Sequence, residues 1–169
     1  MKRKIYTLAT VLLIAMLAVS PVYAGGISGS WGLGSIKFVG TAWGFGGDAE
    51  ITINGSGTPE IVCYAPGNNN PAPGQNPGRI TATNTAGLDS FDHNKGKFDV
   101  NLEADADVEN MTASQLGCPN DNWTAEVVFV FWDTATLTVV NSKGNLVYEA
   151  NFSCVTTHNP DRIICKPAS

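Results

Sequence analysis

Apolar and polar side chains alternate along most of this chain, and this period of two restricts the fold more than any other feature. Between residues 98 and 108 every second residue is apolar, and the polar positions include Glu103, Asp105 and Asp107. Side chains on a β-strand point alternately to opposite faces, so this pattern predicts a strand with one buried face. Residues 49–54 alternate in the same way. The turn dipeptide Asn54-Gly55 then predicts a hairpin whose second strand is 61–64.

The rest of the chain also has the spacing of short strands. Residues 79–85 are rich in threonine, whereas residues 127–132 are all apolar, which is typical of a central strand covered on both faces. Segments 134–140 and 146–155 are joined by five turn-forming residues. About eight or nine strands without a substantial helix predict an all-β fold. We expect an antiparallel β-sandwich of the immunoglobulin-like or jelly-roll-like kind.

The four cysteines, Cys63, Cys118, Cys154 and Cys165, indicate a cross-linked fold. An even set of cysteines in an exported chain is commonly oxidised, and four allow three pairings. Residues 154–165 read as a hairpin with Pro160 in its turn, which places Cys154 opposite Cys165 at disulfide distance. This favours the pairs Cys154–Cys165 and Cys63–Cys118. No two cysteines have the close spacing of a zinc site.

The N-terminus predicts export. Three basic residues at positions 2–4 precede an apolar run at 8–19, and Val22 and Ala24 then place an aliphatic and a small residue at the two positions that a signal peptidase inspects. The apolar run is well short of the roughly 20 residues that span a bilayer as a helix. We therefore expect residues 1–24 to be a signal peptide, no membrane span after cleavage, and a secreted or periplasmic location.

Cleavage makes the remaining chain acidic. Residues 1–24 hold three basic and no acidic residues, so their removal lowers the formal net charge from −5 to −8. Nucleic acids and anionic membranes are bound through clustered cations. The composition therefore argues against nucleic acid as a partner.

Two segments depart from the alternating pattern. Residues 25–47 contain nine of the eighteen glycines together with several aromatic residues. They predict either an edge strand or an extension that adds as a strand to a second copy. The main domain is then 48–169. Within it, residues 66–78 hold four prolines, three glycines and four asparagines. We expect them to form a surface loop that adds no ladder of hydrogen bonds.

Candidate chemical groups are few. Glu103, Asp105 and Asp107 lie along one strand face, where loop oxygens would have to complete a calcium site and a carboxylate pair could serve a hydrolase. The simpler interpretation is a solvated face whose charges prevent edge-to-edge pairing. His93 and His158 lie in polar turns with no nucleophile motif beside them. No cofactor motif is found, and a non-catalytic protein is the favoured interpretation.

Exposed aromatic residues provide the alternative function. Trp31, Trp43 and Trp123 are candidates for stacking on a glycan or contacting a protein. Glycosylation sequons occur at four positions, Asn54, Asn110, Asn122 and Asn151. The chain is thus expected to be structural or binding at the cell surface or outside the cell. Its partner is then itself, through residues 25–47, or a glycan or protein contacted by tryptophan.

Overall fold

A computed structural model describes residues 26–32, 35–67, 70–88, 97–157 and 160–168. These residues contain nine strands and no helix, which confirms the predicted all-β class. The strands are β1 (Gly26–Gly32), β2 (Ile36–Trp43), β3 (Ala49–Tyr64), β4 (Pro71–Pro73), β5 (Ile80–Leu88), β6 (Lys97–Ala104), β7 (Thr124–Asn141), β8 (Leu146–Thr157) and β9 (Arg162–Pro167).

The larger sheet has six antiparallel strands in the order β4-β3-β7-β8-β9, with β5 also paired to β3. Its centre is the pair β3 and β7, which are 16 and 18 residues long. Both β4 and β5 lie on the side of β3 away from β7. The first half of β3 pairs with β5, and its last three residues pair with β4.

The length of β3 corrects the hairpin predicted at Asn54-Gly55. Both residues lie in the middle of β3, opposite Thr136 and Ala135 of β7. A Cβ atom on Gly55 would lie 2.9 Å from Ile36 Cγ2 and 3.2 Å from Trp132 Cζ3. This glycine therefore permits close packing of two core side chains over the strand, and does not make a turn.

Strand β7 carries two β-bulges relative to β3. The register changes between Ser56/Gly57 and between Glu60/Ile61, which leaves Asp133 and Val128 of β7 as the extra residues. An extra residue increases the local twist of the strand. It also shifts the alternation, so that side chains before and after the bulge no longer follow one continuous pattern of facing. The two predicted strands 127–132 and 134–140 are consequently parts of one bulged strand.

The smaller sheet has the order β1-β2-β6. Residues 26–43 thus contain a hairpin that pairs within the chain, and β2 contributes Ile36, Phe38 and Ala42 to the core. Gly29 lies directly opposite Gly40, and the ring of Phe38 covers both positions. An aromatic ring over a glycine pair replaces the packing that glycine lacks.

Two sheets facing one apolar core form the predicted sandwich. The core includes fully buried Trp132 and Leu137 of the large sheet and Ile36 and Leu102 of the small one. An isolated β-bridge between Ala82 of β5 and Ala106, which follows β6, connects the two sheets on one side of the sandwich. The strand predicted to continue to residue 108 ends at Ala104 and returns as this single bridge.

The predicted disulfides, Cys63–Cys118 and Cys154–Cys165, are both present. The second pair is directly opposed in the register between β8 and β9, as the hairpin argument required. The first pair closes a sequence separation of 55 residues. In the described ranges no helix has the length and hydropathy needed to cross a membrane.

Candidate functional site

Two of the three tryptophans predicted to bind a ligand, Trp43 and Trp123, lie in different parts of the fold. Trp43 ends β2 of the small sheet and lies against Gly26, where a Cβ atom would be 2.8 Å from the indole Cζ2. Trp123 directly precedes β7 of the large sheet and is partly buried against the core. The side chain of Trp31 lies outside the described part of the structure. Trp43 and Trp123 are therefore half-covered and belong to different sheets.

The three carboxylates of the predicted row are exposed, and Glu103 makes side-chain contacts that differ from those of Asp105 and Asp107. Glu103 accepts hydrogen bonds from Ser35 Oγ at 2.7 Å and from Lys37 Nζ at 3.2 Å. These two hydrogen bonds, followed by the charge of Lys37, hold the pKa of Glu103 below its ordinary value. Asp105 and Asp107 are exposed beyond the end of β6, where the Asp107 amide donates to the Thr81 carbonyl.

The described residues include no group of three or more His, Cys, Asp or Glu side chains suited to a metal ion. His93 and His158 lie outside the described residues. The calcium and hydrolase hypotheses thus remain predictions. They are not the hypotheses that the geometry supports best.

A concave surface with an apolar lining lies on the large sheet where β3 pairs with β4. This surface, termed the Pro–Phe groove, has a volume of about 490 Å3. It is lined by residues 58–62 of β3, residues 71–74, Pro77 and Phe131. Three elements distant in sequence therefore meet there: the second half of β3, the proline-rich segment and the bulged part of β7.

Strand β4 forms the outer wall of the groove and corrects the prediction that residues 66–78 add nothing to the ladder. Pro71, Ala72 and Pro73 pair with Tyr64, Cys63 and Val62. The Gly74 amide donates to the Ile61 carbonyl at 2.8 Å. Amides two residues apart point the same way along a strand, so those at positions 72 and 74 face β3. The two prolines, which have no N–H group, then face away from β3, as edge prolines must.

The proline-rich segment, residues 66–78, is held near Cys118 as well as by its pairing with β3. Ala72 lies opposite Cys63, whose disulfide joins β3 to Cys118. The Gln75 amide donates to the Gly117 carbonyl at 2.8 Å, next to that same cysteine. The covalent bond and the hydrogen bonds fix the outer wall, so the groove is formed before any ligand arrives.

Aromatic and aliphatic side chains continue from the groove across the outer face of β7. Val130 and Trp132 are buried, so Phe129 and Phe131 point to the opposite, outer face. Their ring centroids are 5.0 Å apart in an edge-to-face arrangement. Val128, the bulge residue, is 48% exposed. The interpretation of residues 127–132 as covered on both faces is therefore wrong, because one face of this segment meets solvent.

Two carboxylates border these apolar side chains. Glu60 lies opposite Phe129, and Glu126 lies opposite Val62. Tyr64 Oη donates to Glu126 Oε2 at 3.2 Å, and this hydrogen bond is the main cause that raises the pKa of Tyr64. Burial and the negative charge of Glu126 raise it further. Neither glutamate belongs to an ion pair among the described residues. The groove therefore has an acidic rim.

Sequence reasoning missed Phe131, Phe129 and Glu126 as site residues. A run of six apolar residues reads as a buried strand, because alternation is absent and nothing in the run marks a bulge. The usable signal was Pro71-Ala72-Pro73, since a short proline-containing segment within a β domain fits an edge strand. The predicted Cys63–Cys118 bridge also indicates that this segment is anchored close to a cross-link.

Comparison with known proteins gives no relative from which a role could be transferred. No protein-family model, no curated protein and no solved structure matches this chain. The geometry and chemistry of the Pro–Phe groove are therefore the basis for assigning a function.

Proposed function

We propose that this protein is exported and acts outside the cytoplasm as a non-catalytic binding protein, with the Pro–Phe groove as its ligand site. Two disulfides in one small domain are typical of an oxidising compartment. The basic and apolar pattern of residues 1–24 supports export by signal peptide. N-terminal sequencing of the exported protein tests this step, with Gly25 expected as its first residue.

One observation carries the binding role: the groove is apolar, accessible and preformed. Ligand sites commonly combine an apolar lining with a few polar groups that orient the ligand. Here Val62, Phe131 and the prolines supply apolar contact, and Thr58 and Glu60 supply polar groups. Prolines and a cross-linked wall have little conformational freedom to lose, which reduces the entropic penalty of binding.

The same lining supports binding in preference to catalysis. Among the described residues that line the groove, Glu60 is the one with an ionisable side chain. Acid–base catalysis by carboxylates usually needs two groups with different pKa values, or a nucleophile beside a base. The described lining holds no second acid and no histidine, cysteine or serine, and Thr58 supplies its one side-chain hydroxyl group. The chemistry supplied by this surface is contact, hydrogen bonding and charge.

The test is to locate a ligand by NMR on the isotope-labelled, exported and oxidised protein. Panels of short peptides and of oligosaccharides are titrated, and we expect saturable amide shifts centred on Val62, Ala72 and Phe131. Phe131→Ala should weaken the binding by about tenfold, which corresponds to about 1.4 kcal/mol. Trp43→Ala is the matched control and should leave the affinity unchanged.

Two results would contradict the proposal. Ligand shifts centred on Trp43 or Trp123 would instead support the tryptophan-binding hypothesis. If no member of either panel shifts the groove amides, the groove is not the ligand site. Retained thermal stability of Phe131→Ala, whose side chain is only partly buried, is needed to interpret a loss of binding.

A further inference from the structure

Strand β7 has a ladder partner on both sides for only part of its length. Its pairing with β3 covers the whole strand, from Thr124 to Asn141. Its pairing with β8 covers only the second half, from Thr134↔Ser153 to Val140↔Leu146. Glu126 and Val130 lie before the start of the β8 ladder, and among the described strands β3 alone pairs with them. The first half of β7 is therefore a sheet edge, termed here the β7 edge (residues 126–131).

Beyond Thr134↔Ser153 the described ladder of β8 continues only on its other edge, which faces β9. From Phe152 to Thr157 it pairs with β9. Thr156 Oγ1 donates to the Trp132 carbonyl at 2.9 Å, which is the last described hydrogen bond between the two strands in this direction. Val155, next to that threonine, is 64% exposed and pairs with Ile164, which is 40% exposed. An exposed apolar pair therefore lies beside the β7 edge.

Isolated edges of this kind are usually protected. Proteins commonly place a lysine, a proline, an inward-pointing charge or a β-bulge on an exposed edge to prevent unwanted pairing. In this fold β4 follows that rule, since two of its three residues are proline. The β7 edge has the bulge at the exposed Val128, but it has no cation and no proline. Every residue from 126 to 131 therefore keeps its amide N–H group, whereas two of the three residues of β4 have none.

The charge beside the β7 edge restricts what can bind there. Glu60 and Glu126 lie on the outer face next to Phe129, and neither is in a described ion pair. Arg79 is the nearby cation, but its guanidinium is bound to Asp133 at 2.8 Å. A partner that covers this surface must therefore bring positive charge to the two glutamates.

We infer that the β7 edge binds an extended, cationic polypeptide segment of another protein, which adds to the large sheet as a strand. This inference rests on the proposed function and extends its ligand site from the groove to the adjoining β7 edge, with Phe131 common to both. Backbone hydrogen bonds to β7 supply affinity, as in other cases of strand addition. Alternate apolar side chains of the segment contact Phe129 and Phe131, and its lysines or arginines approach Glu60 and Glu126.

Two other occupants fit less well. A glycan would need several hydroxyl or amide partners, whereas the Pro–Phe groove beside the edge offers chiefly prolines, Val62, Thr58 and Phe131. A second copy of this chain would bring an identical acidic rim to a surface that already carries Glu60 and Glu126. Like charges brought together at an interface oppose binding. Both occupants are nevertheless separate outcomes of the test.

The experiment uses three fluorescently labelled peptides and the exported, oxidised protein. The first peptide alternates lysine and valine, and the second alternates glutamate and valine. The third repeats the first with an N-methyl group on every amide, which removes the hydrogen-bond donors from both edges. Fluorescence anisotropy gives the affinities at low and at raised salt. Light scattering gives the oligomeric state of the free protein.

Two variants locate the binding. Val128→Lys places a cation on the exposed bulge of the β7 edge and should weaken binding of the first peptide by at least about tenfold. Val39→Lys makes the same change at a valine that is 45% exposed on β2 of the other sheet, and its affinity should equal that of the unsubstituted protein. Both sites are exposed, so both variants should keep a stability within about 0.5 kcal/mol.

The outcomes separate this inference from the proposed function. Saturable binding of the first peptide alone, weakened by Val128→Lys and by raised salt, supports strand addition. Equal binding of the N-methylated peptide overturns strand addition, while groove binding stands. A response to oligosaccharides but not to peptides, or a dimer abolished by Val128→Lys, overturns the peptide as ligand. If no peptide binds and no titration shifts the groove amides, both proposals fail.

Discussion

The two disulfides should contribute unequally to stability, and the difference can be calculated from the loops that they close. In the chain-entropy model a cross-link removes more freedom from the unfolded chain when its loop is longer. The separation of 55 residues between Cys63 and Cys118 corresponds to about 4.2 kcal/mol at 25 °C. The separation of 11 residues between Cys154 and Cys165 corresponds to about 2.8 kcal/mol. The expected difference is about 1.4 kcal/mol.

Packing acts in the same direction as chain entropy. Cys63 and Cys118 are both buried in the core, whereas Cys165 is half-buried. Replacement of a pair by alanine removes buried sulfur atoms, and each buried group of methylene size is worth about 0.8 kcal/mol. The double variant Cys63→Ala/Cys118→Ala should therefore lose about 6 kcal/mol, a large part of the roughly 5–15 kcal/mol that stabilises a typical domain.

Equilibrium urea unfolding of both double-alanine variants provides the measurement. Free energies of unfolding should be compared in place of midpoints, because the loss of a cross-link expands the unfolded chain and alters the urea dependence. Double variants also avoid the free thiol that a single substitution would leave. A Cys154→Ala/Cys165→Ala variant that loses as much free energy as the other, or more, would refute the loop-length reasoning for this fold.

Three further perturbations test other parts of the structure. Gly55→Ala should destabilise the protein by about 1–3 kcal/mol in urea unfolding, because its Cβ overlaps two core side chains, whereas Gly87→Ala, with no atom within 4 Å, should be neutral or slightly stabilising. Deletion of residues 25–47 removes β1 and β2, so circular dichroism should show an unfolded chain; a folded monomer would contradict the placement of β2 in the core. Ultraviolet titration should find Tyr64 ionising above its ordinary pKa of 10.0, and Glu126→Gln should lower that pKa. Because the folded-state pKa of Tyr64 is raised, its contribution to stability is present below pH 10 and is lost as the pH rises through the folded-state value.

The sequence predicted the fold well because its strands obey local rules. The hairpin at Cys154 and Cys165 followed from one turn proline and a count of opposed residues, and the register shows this pairing. The turn between β7 and β8 was equally predictable from the sequence. Its first residue, Asn141, accepts hydrogen bonds on its side chain from the amides of Lys143 and Asn145, which is ordinary asparagine turn chemistry.

The candidate site was not predictable in the same way, because it depends on contacts between distant segments. Gly55 looked like part of a turn, since the sequence does not reveal that Trp132 packs above it. Residues 127–132 looked fully buried, since neither the bulge at Val128 nor the end of the β8 ladder leaves a mark on the chain. Periodicity reports which residues alternate, but burial of the second face depends on which elements arrive to cover it.

The two bulges of β7 also explain why the exposed aromatic surface is located where it is. In regular alternation from Leu137 and Ala135, the inward positions would continue to Asp133 and Phe131. The extra residue Asp133 moves Trp132 into the core and leaves Phe131 on the outer face beside the groove. Asp133 itself then pairs with Arg79, which precedes β5. Deletion of Asp133 should therefore remove the bulge and make Trp132 the direct neighbour of Thr134, so that regular alternation keeps Trp132 in the core and Phe131 on the outer face. A tryptophan emission spectrum that shifts to the wavelength of an exposed indole in this deletion variant would contradict the assignment.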